Sequence, residues 1–245
     1  MKRILKYVMV LVLLLVVCVG VVFVQFTSLG YRMTVGWRNF SELEENVYVY
    51  DGYGISNDEI ISVVNEAKNR VRSFWTDVTS DPVIILCDDE KVLSKLGGDH
   101  DTSTAVIFQA HSYISISSQY FNVDILAHEM THAELHKRLY AGKFWYNPTV
   151  PIWFDEGLAL QNDYRVQYGE DTWIEKTDNG KNVIPLDEMD TADQFYAGDS
   201  EDRRFRYMLS RHEVKKWIEE NGMTRLFQLL DQVNRGDDFV TLYFK

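Results

Sequence analysis

Hydrophobic and polar positions change rhythm along the chain. Residues 7–24 form an apolar run with no charge. Eighteen such residues rise about 27 Å as a helix, close to the roughly 30 Å of a bilayer core. Lys2, Arg3 and Lys6 precede the run, which has no polar face. The pattern predicts a transmembrane helix within residues 1–26. The cations place the short N-terminus in the cytoplasm and the rest of the chain outside it, at the cell membrane. The exit VVFVQFTSLG lacks an Ala-x-Ala-like cleavage site, which favours an uncleaved anchor over a cleaved signal. Residues 27–45 read as a linker.

From residue 46 the rhythm is that of a folded domain, 46–245. NVYVY (46–50) alternates as a strand does. SNDE (56–59) is a capping box, and Ile60, Ile61, Val64, Ala67, Val71 and Phe74 continue from it at helical spacing. PVIILCDD from Pro82 reads as a buried strand, and a short helix around 92–96 ends at Gly97-Gly98. AVIFQA (105–110) and SYISIS (112–117) read as two strands, the second a candidate edge strand for pairing with an extended substrate. Helices are predicted at about 124–139, from about 151, and at 203–220 and 223–235. Strands first and helices later predict an α+β fold, with a small mixed or antiparallel sheet over one central helix and a mostly helical C-terminal lobe.

Composition narrows the function. The net charge is −12; the first 26 residues carry +3 and no acid, so the remainder carries −15. No basic nucleic-acid footprint exists, and the acidic remainder serves solubility. Cys18 lies in the apolar run, so no disulfide with Cys87 is expected.

The chemistry concentrates in LAHEMTHAELH (126–136), which holds three of the six histidines. His128 and His132, at i and i+4, share one helix face about 5–6 Å apart, which suits two imidazoles on one metal ion. Glu129 points aside and can reach a metal-bound water without binding the metal. His136 is eight residues from His128, about 80° past two whole turns, so it reads as a surface residue or as a support for a ligand. His100 and His111 lie in polar loops and read as solvated surface.

A catalytic zinc site needs three protein ligands. HEMTH, followed 24 residues after His132 by Glu156 in PIWFDEGLA, resembles the gluzincin metallopeptidases, which include thermolysin and the aminopeptidase-N group. Their W-x-x-E-G-x-A-like motif is matched by Trp153, Glu156, Gly157 and Ala159. The resemblance implies a zincin-like fold and one zinc ion per chain on His128, His132 and Glu156. It further implies Glu129 as general base and a tyrosine or histidine on a later helix as oxyanion donor. Tyr207, in FRYMLSRHEV, occupies that place, with His212 as the alternative. Thermolysin has an aspartate four residues after its third ligand, where this chain has Leu160. The expected protein is a membrane-anchored zinc peptidase acting on peptides or proteins, open to a protein regulator. The rival is a non-catalytic, zinc-stabilised binding or sensor domain.

Overall fold

The computed structural model describes residues 2–98, 103–108, 111–140 and 150–245. His100, Gln109 and Ala110 lie outside the described residues.

The N-terminal expectation is corrected. Lys2–Phe26 is a helix, α1, but among the described residues no helix is long and apolar enough to cross a membrane. The expected α+β class with a membrane helix in front therefore becomes a mostly helical chain with a small mixed sheet.

The segment expected to be a linker is folded. Thr27 caps α2 (Ser28–Met33), and β1 (Phe40–Glu44) follows a short 3₁₀ turn. Arg32 on α2 is fully buried and donates from Nε to Leu96 O at 2.6 Å and from Nη1 to Tyr113 O at 2.8 Å. Single short elements such as β1 lack the periodicity that would reveal them in sequence.

The sheet is five-stranded, in the order β1-β2-β3-β5-β4, with β2 at Val47–Tyr50, β3 at Val83–Leu86, β4 at Thr104–Phe108 and β5 at His111–Ile116. β2, β3 and β5 run parallel; β1 and β4 are antiparallel to their neighbours. The edge next to the central helix is thus β4, not β5 as the sequence suggested, because β5 pairs on both sides. His111 opens β5 rather than lying in a loop, and is exposed. Between β2 and β3 runs α3 (Asn57–Trp75), capped by Ser56, burying Ile60, Val64, Ala67, Val71 and Trp75 along one stripe. The short α4 (Glu90–Lys95) follows β3.

The central helix, α5 (Val123–Tyr140), is buried on most of its surface, through Leu126, Ala127, Met130, Ala133 and Leu135 among others. Asp124 lies in its first turn and Lys137 and Arg138 in its last, favourable to the helix dipole at both ends. Glu134, fully buried on this helix, accepts from Thr79 N, Thr79 Oγ1 and Ser80 N and pairs with Arg138, which ties α5 to the entrance of β3.

α6 (Ile152–Ala159) packs between α5 and α9 (Ser200–Arg235). Gly157 makes that approach feasible: a Cβ there would lie 2.4 Å from Ser210 O and 2.7 Å from Val214 Cγ2. The two expected C-terminal helices are one run, α9, broken at Gly222, whose φ of 77° only glycine adopts readily. Three further helices, α7 (Glu170–Thr177), α8 (Ala192–Phe195) and α10 (Phe239–Tyr243), complete the lobe. Trp153 and Phe154 of α6 pack edge-on against Phe239 and Tyr243 of α10.

Candidate metal centre

One turn of α5 brings the His128 and His132 rings to a centroid separation of 4.7 Å, nearly perpendicular. Their Nε2 atoms lie 3.1 Å apart. From α6, Glu156 Oε2 sits 3.4 Å from His128 Nε2 and 3.3 Å from His132 Nε2. Three donor atoms thus form a nearly equilateral triangle. Glu156 Oε2 is buried and has no hydrogen-bond partner among the described residues. A single proton can bridge only one edge of such a triangle, whereas a metal ion takes a lone pair from each corner. His128, His132 and Glu156 could together hold one.

The flanking atoms define the ring orientations. Asp155, the residue before Glu156, accepts from His132 Nδ1 at 2.6 Å through Oδ1 and from His136 Nε2 at 2.8 Å through Oδ2. A carboxylate only accepts, so His132 carries a proton on Nδ1, and in its neutral form the ring turns the Nε2 lone pair to the triangle. Among the described residues His128 Nδ1 has no hydrogen bond; Asp163 Oδ2 lies 3.7 Å from it, itself fully buried and clamped by Arg165. Tyr196 donates to the outer oxygen of Glu156, Oε1, at 2.5 Å. His136 is buried rather than on the surface, and Asp155 links it to His132. His132, His136 and Asp155 are also close enough to be a ligand set, but at 2.6 and 2.8 Å their contacts are hydrogen bonds.

The electrostatics favour positive charge here. Burial works against ionising Glu156, but His132 and then His128 outweigh it and hold its carboxyl at about 2. Asp155 is likewise pushed well below the carboxylate range, with His136 and His132 overcoming burial. Burial opposes a charge on His132, yet Asp155 and Glu156 raise it well above 6.5.

Glu129 lies on the same turn, nine-tenths buried, and stands outside the triangle. Its Oε1 accepts from Ser103 Oγ at 2.7 Å, and its Oε2 has no hydrogen bond from a described residue. Tyr207, on α9, packs against Tyr168 and Phe195. Burial first, then the Glu156 charge, raises its pKa. His212 is engaged elsewhere: its ring stacks on Trp173 at 3.6 Å and Nδ1 lies 3.2 Å from Glu170. Nothing among the described residues bonds it to the centre.

The structure therefore brings together His128, His132 and Glu156, with Glu129 on the same helix and Tyr207 close enough to feel the Glu156 charge. Sequence reasoning missed Asp155, Asp163, Ser103 and Tyr196. Asp155 had a signal, a second acid beside Glu156; Tyr196 and Ser103 sit in segments without pattern. Leu160 is a fully buried core residue. No protein-family model matches the chain, and no curated protein or solved structure matches it. The likeness to the gluzincins rests on two short sequence motifs.

Proposed function

We propose that this protein is a zinc-dependent peptidase whose metal is held by His128, His132 and Glu156. The observation that carries the reading is the triangle of donor atoms. Two donors about 2.0–2.1 Å from a tetrahedral zinc lie roughly 3.3–3.4 Å apart, and the three edges measure 3.1, 3.3 and 3.4 Å. The set is two imidazoles and one carboxylate, as in open catalytic zinc sites, and the orphaned Glu156 Oε2 gains the partner it lacks. Zinc there supplies a Lewis acid that brings the pKa of water from 15.7 to about 7.

The rest of the chemistry falls to the chain. Glu129 takes the proton of the attacking water on Oε2 and passes it to the leaving amine. Ser103 fixes the carboxylate by its other oxygen. Tyr196 occupies Glu156 Oε1, so that one oxygen alone faces the imidazoles. Tyr207, kept protonated because burial and then the Glu156 charge raise its pKa, is the proposed donor to the developing oxyanion. The outer edge of β4, unpaired among the described residues, supports an extended peptide as substrate, since strand addition satisfies its backbone groups.

The test is reconstitution. The full chain, stripped by a chelator, is titrated with zinc while cleavage of a broad peptide library is followed. One zinc per chain and cleavage restored in proportion to it are expected. Zinc binding with no cleavage in any peptide or protein pool would instead favour the non-catalytic binding domain. Cleavage unaffected by chelation would refute the metal mechanism.

A further inference from the structure

We infer that His136, acting through Asp155, sets the tautomer and ring position of His132 and so the metal affinity of the centre, without itself binding the ion. The inference rests on the reading of His128, His132 and Glu156 as the metal ligands.

His136 is buried on α5 in a place where helix geometry turns it away from the triangle. The ring centroids of His132 and His136 are 6.4 Å apart, too far for direct contact between their nitrogens to matter. The carboxylate of Asp155 spans the gap, with one oxygen on each ring, at 2.6 and 2.8 Å. Either oxygen alone would leave the carboxylate free to pivot about its χ2 torsion. Two donors from successive turns of one helix fix its plane. That plane in turn holds His132 Nδ1–H and aims Nε2 at Glu156 Oε2. A ligand's outer hydrogen bond fixes its ring and raises its basicity, and losing such a partner weakens metal binding about 10- to 100-fold. The clamp also joins α5 to α6 through the residue next to Glu156, so it keeps ligands from two helices in register. An ion seated between His132, His136 and Asp155 is disfavoured because donors on a common metal at 2.0–2.2 Å sit about 3 Å or more apart.

The experiment measures zinc affinity of the full chain by chelator competition in wild type, His136→Ala, His136→Gln, Asp155→Asn and Glu156→Ala. His136→Ala should bind one zinc about 10- to 100-fold more weakly. His136→Gln, whose amide can still donate to Asp155, should recover most of the loss. If His136→Ala does not fold, His136→Gln and Asp155→Asn carry the comparison, because both keep volume and only the second breaks the clamp on His132. In the metal-free protein, at a pH high enough to leave His132 neutral, ¹⁵N spectra should show it as the Nδ1–H tautomer, and a mixture in Asp155→Asn, a change that a merely structural role would not produce. Affinity in His136→Ala within twofold of wild type, or a stoichiometry of two zinc ions, would overturn the inference while leaving the ligand assignment intact. Full affinity in Glu156→Ala, or no zinc on the wild type, would overturn the ligand assignment, and this inference with it.

Discussion

Replacing Glu129 by glutamine keeps the volume of the side chain and removes its ability to accept a proton. In wild type Ser103 Oγ donates to Oε1 at 2.7 Å, and Oε2 has no hydrogen bond from a described residue. If the glutamine keeps that bond, its single oxygen stays on Ser103 and its NH₂ takes the place of Oε2, a donor where an acceptor is needed. If Ser103 instead turns its hydroxyl to accept, the amide oxygen faces the water but is too weakly basic to take a proton. Either arrangement removes general-base catalysis, which contributes about 10²- to 10⁴-fold, or roughly 3–5 kcal/mol of barrier. The three ligand atoms are untouched, so zinc content should not change. The assay is the turnover rate on a cleaved peptide at saturating substrate, with zinc per chain and thermal midpoint measured on the same preparation. The reasoning fails if the glutamine variant, loaded with equal zinc, turns over within about tenfold of wild type.

Tyr207→Phe should lower kcat by about 10²–10³ with zinc content unchanged, since an oxyanion donor acts mainly in the transition state; if His212→Ala shows that loss and Tyr207→Phe does not, the donor is His212. Gly157→Ala places a methyl 2.4 Å from Ser210 O and forces α6 from α9. Calorimetry should show a cost of about 1–3 kcal/mol, or roughly 2–12 °C in Tm, and chelator competition a weaker hold on zinc. In the metal-free protein the Glu156 carboxyl is lowered from 4.5 to about 2, so its contribution is complete above pH 4.5 and lost as pH falls through about 2. His132 is raised above 6.5, so its contribution is complete below pH 6.5 and lost as pH climbs through its folded value. Thermal melts without metal should therefore be highest between pH 4.5 and 6.5. With zinc the melts should rise on the alkaline side of that window, because zinc binds the neutral ring; a metal-free optimum near pH 8 would contradict this assignment.

Much of the centre was legible because it is local. A helix sets the angle between residues four apart, so HEMTH by itself puts His128 and His132 on one face and turns Glu129 aside and His136 away. The capping box at Ser56 and the stripe from Ile60 to Val71 are legible for the same reason, as is the break at Gly222 between two amphipathic stretches. The partnership of Glu156 with that face was not local. It came from resemblance of motifs, and only the packing of α6 into α9 over Gly157 shows how the carboxylate arrives. The identity of the edge strand was equally beyond the pattern: β4 and β5 both read as strands, and sheet order depends on which long-range pairings form. The apolar run near the N-terminus shows the limit of composition, since it predicted a membrane span that the described helices do not supply. Asp155, Asp163 and Tyr196 complete the second layer because burial leaves imidazole and carboxylate atoms that must find partners, and the nearest ones are chosen by tertiary contact. Sequence determines what a helix turn presents; the fold decides which buried polar atoms meet, because an unpaired one is too costly to leave inside.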